Sequence, residues 1–112
     1  MKQHKTDIPY GTLDLLILKT LDAMGQMHGF GLARRIEQIA ENVVHLNQGS
    51  IYPALLRLQQ RRLIATKWGV SDNGRRAKFY SLTKKGKKEL ATEIDDWERA
   101  NTLVNRFLQE LS

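Results

Sequence analysis

Apolar residues recur along this chain first at helical spacing, then at strand spacing, then in a long heptad. From about Thr12 to Met24, Leu13, Leu15, Leu16, Ile17, Leu18, Leu21 and Met24 make more than one helical stripe. Gly11 or Thr12 can start that helix and Gly25 can end it. One stripe serves a domain core. The surplus points to a second copy of the chain, or to a tighter core within one copy. Met27–Gly31 reads as a turn, and a second helix follows from about Phe30 to Glu41. Leu32, Ala33, Ile36, Ile39 and Ala40 are its expected buried set, with Arg34, Arg35, Glu37 and Glu41 outside. Val43–Leu46 can be a short strand or an extended link. Residues 1–10 read as an arm with little periodicity.

The third helix is the most informative. Ile51, Ala54, Leu55 and Leu58 share one buried face. Ser50 is placed to cap the N-terminus, since its hydroxyl can accept from an orphaned backbone N–H. Pro53 would then fall in the first turn, where its missing donor does no harm. Ser50, Pro53, Arg57, Gln60 and Arg61 lie on the opposite side, and that outward face carries no carboxylate of its own. A short helix with small polar groups at its start and cations toward its end can enter a DNA major groove. The alternative is a solvated amphipathic face.

Residues 63–70 and 77–82 read as strands. Between them, Asn73-Gly74 signals a tight hairpin of type I′, a turn that needs positive φ at both central residues. Its tip carries Arg75 and Arg76, with Lys78 behind. Thr83 is placed to cap a last helix that runs to about Glu110. Lys84, Lys85, Lys87 and Lys88 crowd its first turns, the wrong sign for that end of a helix dipole. Further on, Leu90, Ile94, Trp97, Asn101, Val104, Leu108 and Leu111 step by four and three, a heptad seam widened by Ala100, Leu103 and Phe107. Little of the chain is left to cover that seam, so dimerisation is expected, with Asn101 able to fix register.

The fold class is therefore mainly α, a winged helix of the α+β kind. Three helices and a two-stranded wing occupy residues 11–83, after an arm at 1–10. A long C-terminal dimerisation helix occupies 84–112.

Charge sharpens this picture. The net charge of +6 is unevenly spread: residues 1–44 are neutral, residues 45–88 carry eleven basic side chains against Asp72, and residues 89–112 sum to −4. A block so one-sided, interleaved with Ile, Leu, Trp, Phe and Tyr, is what a polyanion-docking surface looks like. The chain has no cysteine, which removes disulfides and thiolate zinc sites and fits a cytoplasmic setting. No stretch reads as a signal peptide or a membrane span. Enzymatic readings find little support. His4, His28 and His45 have no ligand spacing, Asp95 and Asp96 point to different sides of a helix, and no nucleophile has an evident base. Gly29 and Gly31 match no nucleotide-binding fingerprint. No metal or cofactor is expected.

Four segments resemble the PadR family of bacterial transcriptional regulators. They are Gly11-Thr12-Leu13-Asp14, His28-Gly29-Phe30-Gly31-Leu32, Gly49 to Leu58 with Leu63-Ile64, and Arg76 to Gly86. The short remainder is similar to the subgroup with a single C-terminal helix. The resemblance implies a homodimeric repressor that binds double-stranded DNA at a pseudo-palindromic operator. It assigns DNA contact to Gln48, Ser50, Tyr52, Pro53 and Arg57, and to Arg75, Arg76 and Lys78 on the wing. The dimer seam would be Leu90, Ile94, Trp97, Asn101, Val104 and Leu108. Some relatives bind planar aromatic molecules between subunits, which makes Trp97 a candidate stacking platform, although a seam tryptophan also serves as plain core. Phe30 stands where the family often has Tyr, Gln59 where Glu is usual, and Arg62 where Gly usually ends the helix. A left-handed Arg62 would cost on the order of 1 kcal/mol. A winged module that binds protein partners, or DNA without sequence preference, is the alternative function.

Overall fold

A computed structural model of the chain describes residues 10–41, 46 and 48–112. Its elements are α1 (Tyr10–Met24), β1 (Met27–His28), α2 (Gly29–Ile39), α3 (Gln48–Gln60), β2 (Ile64–Val70), β3 (Arg76–Leu82) and α4 (Lys84–Glu110). The strands form one antiparallel sheet in the order β1-β3-β2. The expected strand or link at Val43–His45, and the arm at residues 1–9, lie outside the described residues.

The core is the meeting of α1, α2, α3 and the base of the sheet. Ile17, Leu18, Leu32, Ala54 and Leu58 are buried completely or nearly so, and Leu13, Leu21, Ile36, Ile51, Leu55, Leu63, Ile64 and Tyr80 join them. The predicted buried face of α3 is the observed one. On α1, the surplus Leu15 and Leu16 are half-buried against the core, while Met24 is exposed. On α2 the expectation fails at Ile39, which is exposed beyond the last buried position, Ile36.

Met27 and His28 are strand rather than turn, paired with Tyr80 and Phe79 of β3. The ladder fixes His28 in an extended conformation, and its Nδ1 accepts the Gly31 N–H at 2.9 Å, so His28 caps α2. A two-residue strand does therefore precede Gly29, contrary to expectation, but the loop is closed by the imidazole.

Three helix ends use the left-handed region. Gly25 ends α1 at φ 81° with its N–H on the Leu21 carbonyl. Glu41 follows α2 at φ 53°. Arg62 follows α3 at φ 61°, with Leu63 N–H on Leu58 O and Arg62 N–H on Gln59 O, the paired bonds of a Schellman motif. The conformation anticipated for Arg62 is thus adopted without glycine.

Thr83 joins the wing to α4 as expected. Its Oγ1 accepts the Gly86 N–H at 3.0 Å, while its own hydroxyl and N–H face the Leu63 carbonyl. A Cβ added at Gly86 would stand 2.0 Å from that same carbonyl oxygen. The close approach lets α4 leave directly from the sheet. Lys85 reaches back to donate to the Arg61 carbonyl, at the negative end of α3. That contact gives one of the oddly placed lysines a structural role.

Candidate nucleic-acid interface

Two surfaces carry the residues expected at DNA: the outward side of α3 and the wing. The helix α3 begins at Gln48, two residues before the expected cap. Ser50 accordingly lies inside the first turn and is not the N-cap. Pro53 moves to the sixth helical position, where it has no N–H for the Gly49 carbonyl. Along the outward side, Tyr52, Pro53, Leu56, Gln60 and Arg61 are exposed, and Ser50 and Arg57 are half-buried. Tyr52 also packs inward: a Cβ at Gly29 would stand 3.0 Å from its ring, so the missing side chain at Gly29 admits it.

Arg57 differs most from expectation. Its Nη2 lies 3.0 Å from Oδ1 of Asp14, a residue of α1 that is only 8% exposed. The face of α3 has no carboxylate of its own, but α1 supplies one. The pair locks α3 to α1 through a charge-assisted bond. Next to it, Arg61 meets Glu89 of α4 at 3.6 Å.

The wing pairs Ile64 with Leu82 at its base and Val70 with Arg76 near its tip. Its loop is not the predicted type I′ turn, because Asn73 does not take positive φ. Gly74 alone does so, at 77°. The Gly74 N–H bonds Ser71 O and the Ser71 N–H bonds Arg75 O, which closes a three-residue loop over Asp72–Gly74. Asn73 Oδ1 accepts from the Arg75 N–H and from the Ser71 hydroxyl. Arg75 and Arg76 are exposed as expected, and Lys78 is half-buried. The Arg76 guanidinium lies 4.7 Å over the Trp68 ring, and Lys78 Nζ lies 5.9 Å over Tyr80. Burial holds the Tyr80 phenol above its ordinary pKa, and Tyr52 adds to the shift.

Trp68, which spacing alone does not single out, pairs with Lys78 in the ladder and is exposed toward the tip of the wing. Beside the wing, an open groove of about 490 Å³ runs between its loop and the start of α2, lined by His28, Phe30, Arg34, Asp72 and Arg75 among others. Among the described residues, no group of His, Asp or Glu could hold a metal ion.

The expected dimer seam divides in two. Leu90 is 4% exposed and belongs to the chain's own core, and Ile94 packs against that core. Those two are corrected from seam to core, because they pack into the chain's own apolar cluster. Beyond Ile94 every residue of α4 is exposed, including Trp97, Asn101, Leu103, Val104, Phe107 and Leu108. Glu93, at the boundary, has its carboxyl raised above the usual range by burial, with Glu89, Asp14 and Asp96 adding and Arg61 opposing. Among the described residues, no helix is long and apolar enough to cross a membrane.

Comparison with known proteins agrees with this geometry. The chain is 27% identical over 108 residues to an uncharacterised protein of Lysinibacillus sphaericus, covering 96% of this chain and 97% of that one. A PadR-like transcriptional regulator of Bacillus cereus superposes with a TM-score of 0.76 at 31% identity, over 88% of this chain and 93% of its own. A PadR family transcription regulator of Clostridium difficile gives 0.73 at 31% identity, over 86% and 97%. The model of the transcriptional regulator PadR-like family matches residues 17–92, which takes in α2, α3, the wing and the start of α4. This chain belongs to the PadR-like family of transcriptional regulators and is a DNA-binding regulator rather than an enzyme.

Proposed function

We propose that the protein is a repressor that binds a pseudo-palindromic operator as a homodimer. The observation that carries this is the joining of two features in one block of sequence. The outward side of α3 and the wing cations Arg75, Arg76 and Lys78 fall within the segment of eleven basic residues and one acid. Cations on such a surface neutralise phosphates and release counterions. Side chains at the start of α3, namely Gln48, Ser50, Tyr52 and Pro53, read base edges in the major groove. Arg57 contributes by holding α3 on α1 through Asp14. Two copies of α3 spaced by about 34 Å meet successive major grooves on one face of the duplex.

Dimerisation uses the far half of α4, where Trp97, Leu103, Val104, Phe107 and Leu108 are each more than half exposed. Apolar surface of that extent on one helix is covered by a partner in a stable protein. Trp97 on this seam is also where a planar aromatic effector would stack. A dimer lying across an operator denies that stretch to the transcription machinery, and it acts in the cytoplasm, where the chromosome is.

Selection of bound duplexes from a random pool, followed by sequencing, tests the reading. The expected result is one enriched motif with two-fold symmetry and half-sites about one helical turn apart. Enrichment without any motif would favour nonspecific binding instead, and no duplex binding even at low salt would favour a protein-interaction module.

A further inference from the structure

We infer that Trp68 is itself a DNA contact of the wing, packing its indole on the sugar walls of a minor groove while it presents Arg76 to that groove. The inference rests on the DNA-binding reading above and adds a residue that reading does not use.

Register places Trp68, Val70, Arg76 and Lys78 on one face of the hairpin, because Trp68 pairs with Lys78 and Val70 with Arg76. Toward the base, the same face carries Ile64 and Tyr80, which are buried in the core. Toward the tip it leaves the domain and still carries large apolar groups. Trp68 is 57% exposed and Val70 71% exposed. A strand that needs only a solvated tip has no use for an indole there. Hydrophobic surface flanked by polar groups marks a contact site.

Charge identifies the partner. The hairpin from Ile64 to Leu82 holds Lys67, Arg75, Arg76 and Lys78 against Asp72 alone. Among the described residues no carboxylate pairs with Arg76, and its guanidinium lies over the Trp68 ring. A guanidinium held over a ring rather than by a carboxylate keeps its N–H groups for another partner. It is therefore pre-positioned rather than neutralised. A narrow minor groove attracts such an arginine electrostatically, most strongly over A·T-rich sequence. Proteins that enter this groove set apolar side chains against it beside their cations. The wing supplies both on one face.

The test uses the full-length chain and a labelled duplex taken from the selection above. Three proteins are compared: wild type, Trp68→Thr, which suits an exposed strand position, and Trp68→Tyr, which keeps an aromatic face. Trp68→Thr is expected to weaken binding about tenfold, as for loss of a largely buried indole contact. The slope of log affinity against log salt stays unchanged, because no phosphate contact is lost. Trp68→Tyr restores most of the affinity. Hydroxyl-radical cleavage should show wild type protecting minor-groove sugars that flank each half-site, a protection that Trp68→Thr loses at saturation.

Three results would overturn the inference. One is wild-type affinity in Trp68→Thr. Another is a loss accompanied by a slope lower by about 1, which would mean that Trp68 merely holds Arg76. The last is the absence of flanking protection by wild type, a readout that needs no variant to fold. Wild type that binds duplex while Trp68→Thr changes nothing defeats this inference alone. Wild type that binds no duplex at all defeats the DNA-binding reading and this inference together.

Discussion

The near and far halves of α4 carry the same heptad spacing but meet opposite surroundings. Leu90 and Ile94 lie on the chain's own core, whereas Val104 and Leu108 are more than half exposed. The periodicity does not change between them; the supply of neighbours does. The winged domain closes its core with α1, α2, α3 and the sheet base, and after Ile94 none of the described residues covers the helix. A hydrophobic stripe therefore records that a face is to be buried, not which surface buries it.

Placing the same charge in the two regions gives the sharpest test. Leu58→Glu puts an unpaired carboxylate at a fully buried site of the domain. It is expected to abolish the cooperative thermal transition followed by circular dichroism. Leu108→Glu, on the exposed far half, is expected to leave the domain's melting in place while light scattering reports half the wild-type mass. A wild-type mass in Leu108→Glu would break the comparison, because the far half of α4 would then have no partner to lose.

Gly86→Ala probes the junction of the two regions. A methyl group aimed at the Leu63 carbonyl displaces α4 from the sheet. The expected loss is about 3 kcal/mol, the upper part of the usual range for overpacking. Chemical denaturation measures it, and an unchanged midpoint would show that α4 can leave the wing without this approach.

Asp14→Asn addresses the bond between α1 and α3. Loss of the charge on a mostly buried carboxylate that pairs with Arg57 should cost about 1.5 kcal/mol, at the low end for a charged hydrogen bond. If Arg57 acts by positioning α3, operator affinity in a gel-shift titration falls in Asp14→Asn as it does in Arg57→Ala. If Arg57 reads DNA directly, only Arg57→Ala weakens binding.

The smallest effect is at Glu93, where the near half of α4 gives way to the far half. Its carboxyl has a raised pKa in the folded state, chiefly from burial. Above both the folded and unfolded values the charge is a burden on the folded form, and that burden lifts as pH falls through the folded value. Glu93→Gln should therefore raise the melting temperature slightly at pH 7, and the gain should fade on acidification. A gain that grows on acidification would reverse the assigned sign.

Much of the candidate interface is legible because it depends on local pattern. The buried face of α3, both wing strands, the Thr83 cap and the exposed arginines at the wing tip follow from spacing and side-chain chemistry. What was misread depends on partners distant in sequence. Met27-His28 has no strand signal of its own and becomes one by pairing with β3. Ile39 continues a helical stripe that runs past the edge of the core. Asn73-Gly74 permits more than one tight turn, and the bond from Ser71 to Arg75 selects the longer loop. The start of α3 lies three residues earlier than Ser50's capping chemistry suggests.

The sequence by itself determined which faces are apolar, where helices and strands alternate, and that positive charge gathers between residues 45 and 88. Those are properties of neighbours in the chain, set by periods of 3.6 and 2 residues and by side-chain charge. Only the tertiary structure decided that Arg57 meets Asp14, 43 positions away, and that Leu90 is core while Leu108 is surface. It also stacked Arg76 on Trp68 across the hairpin register. Such pairings depend on where the packed domain runs out of its own surface, and no local spacing carries that information.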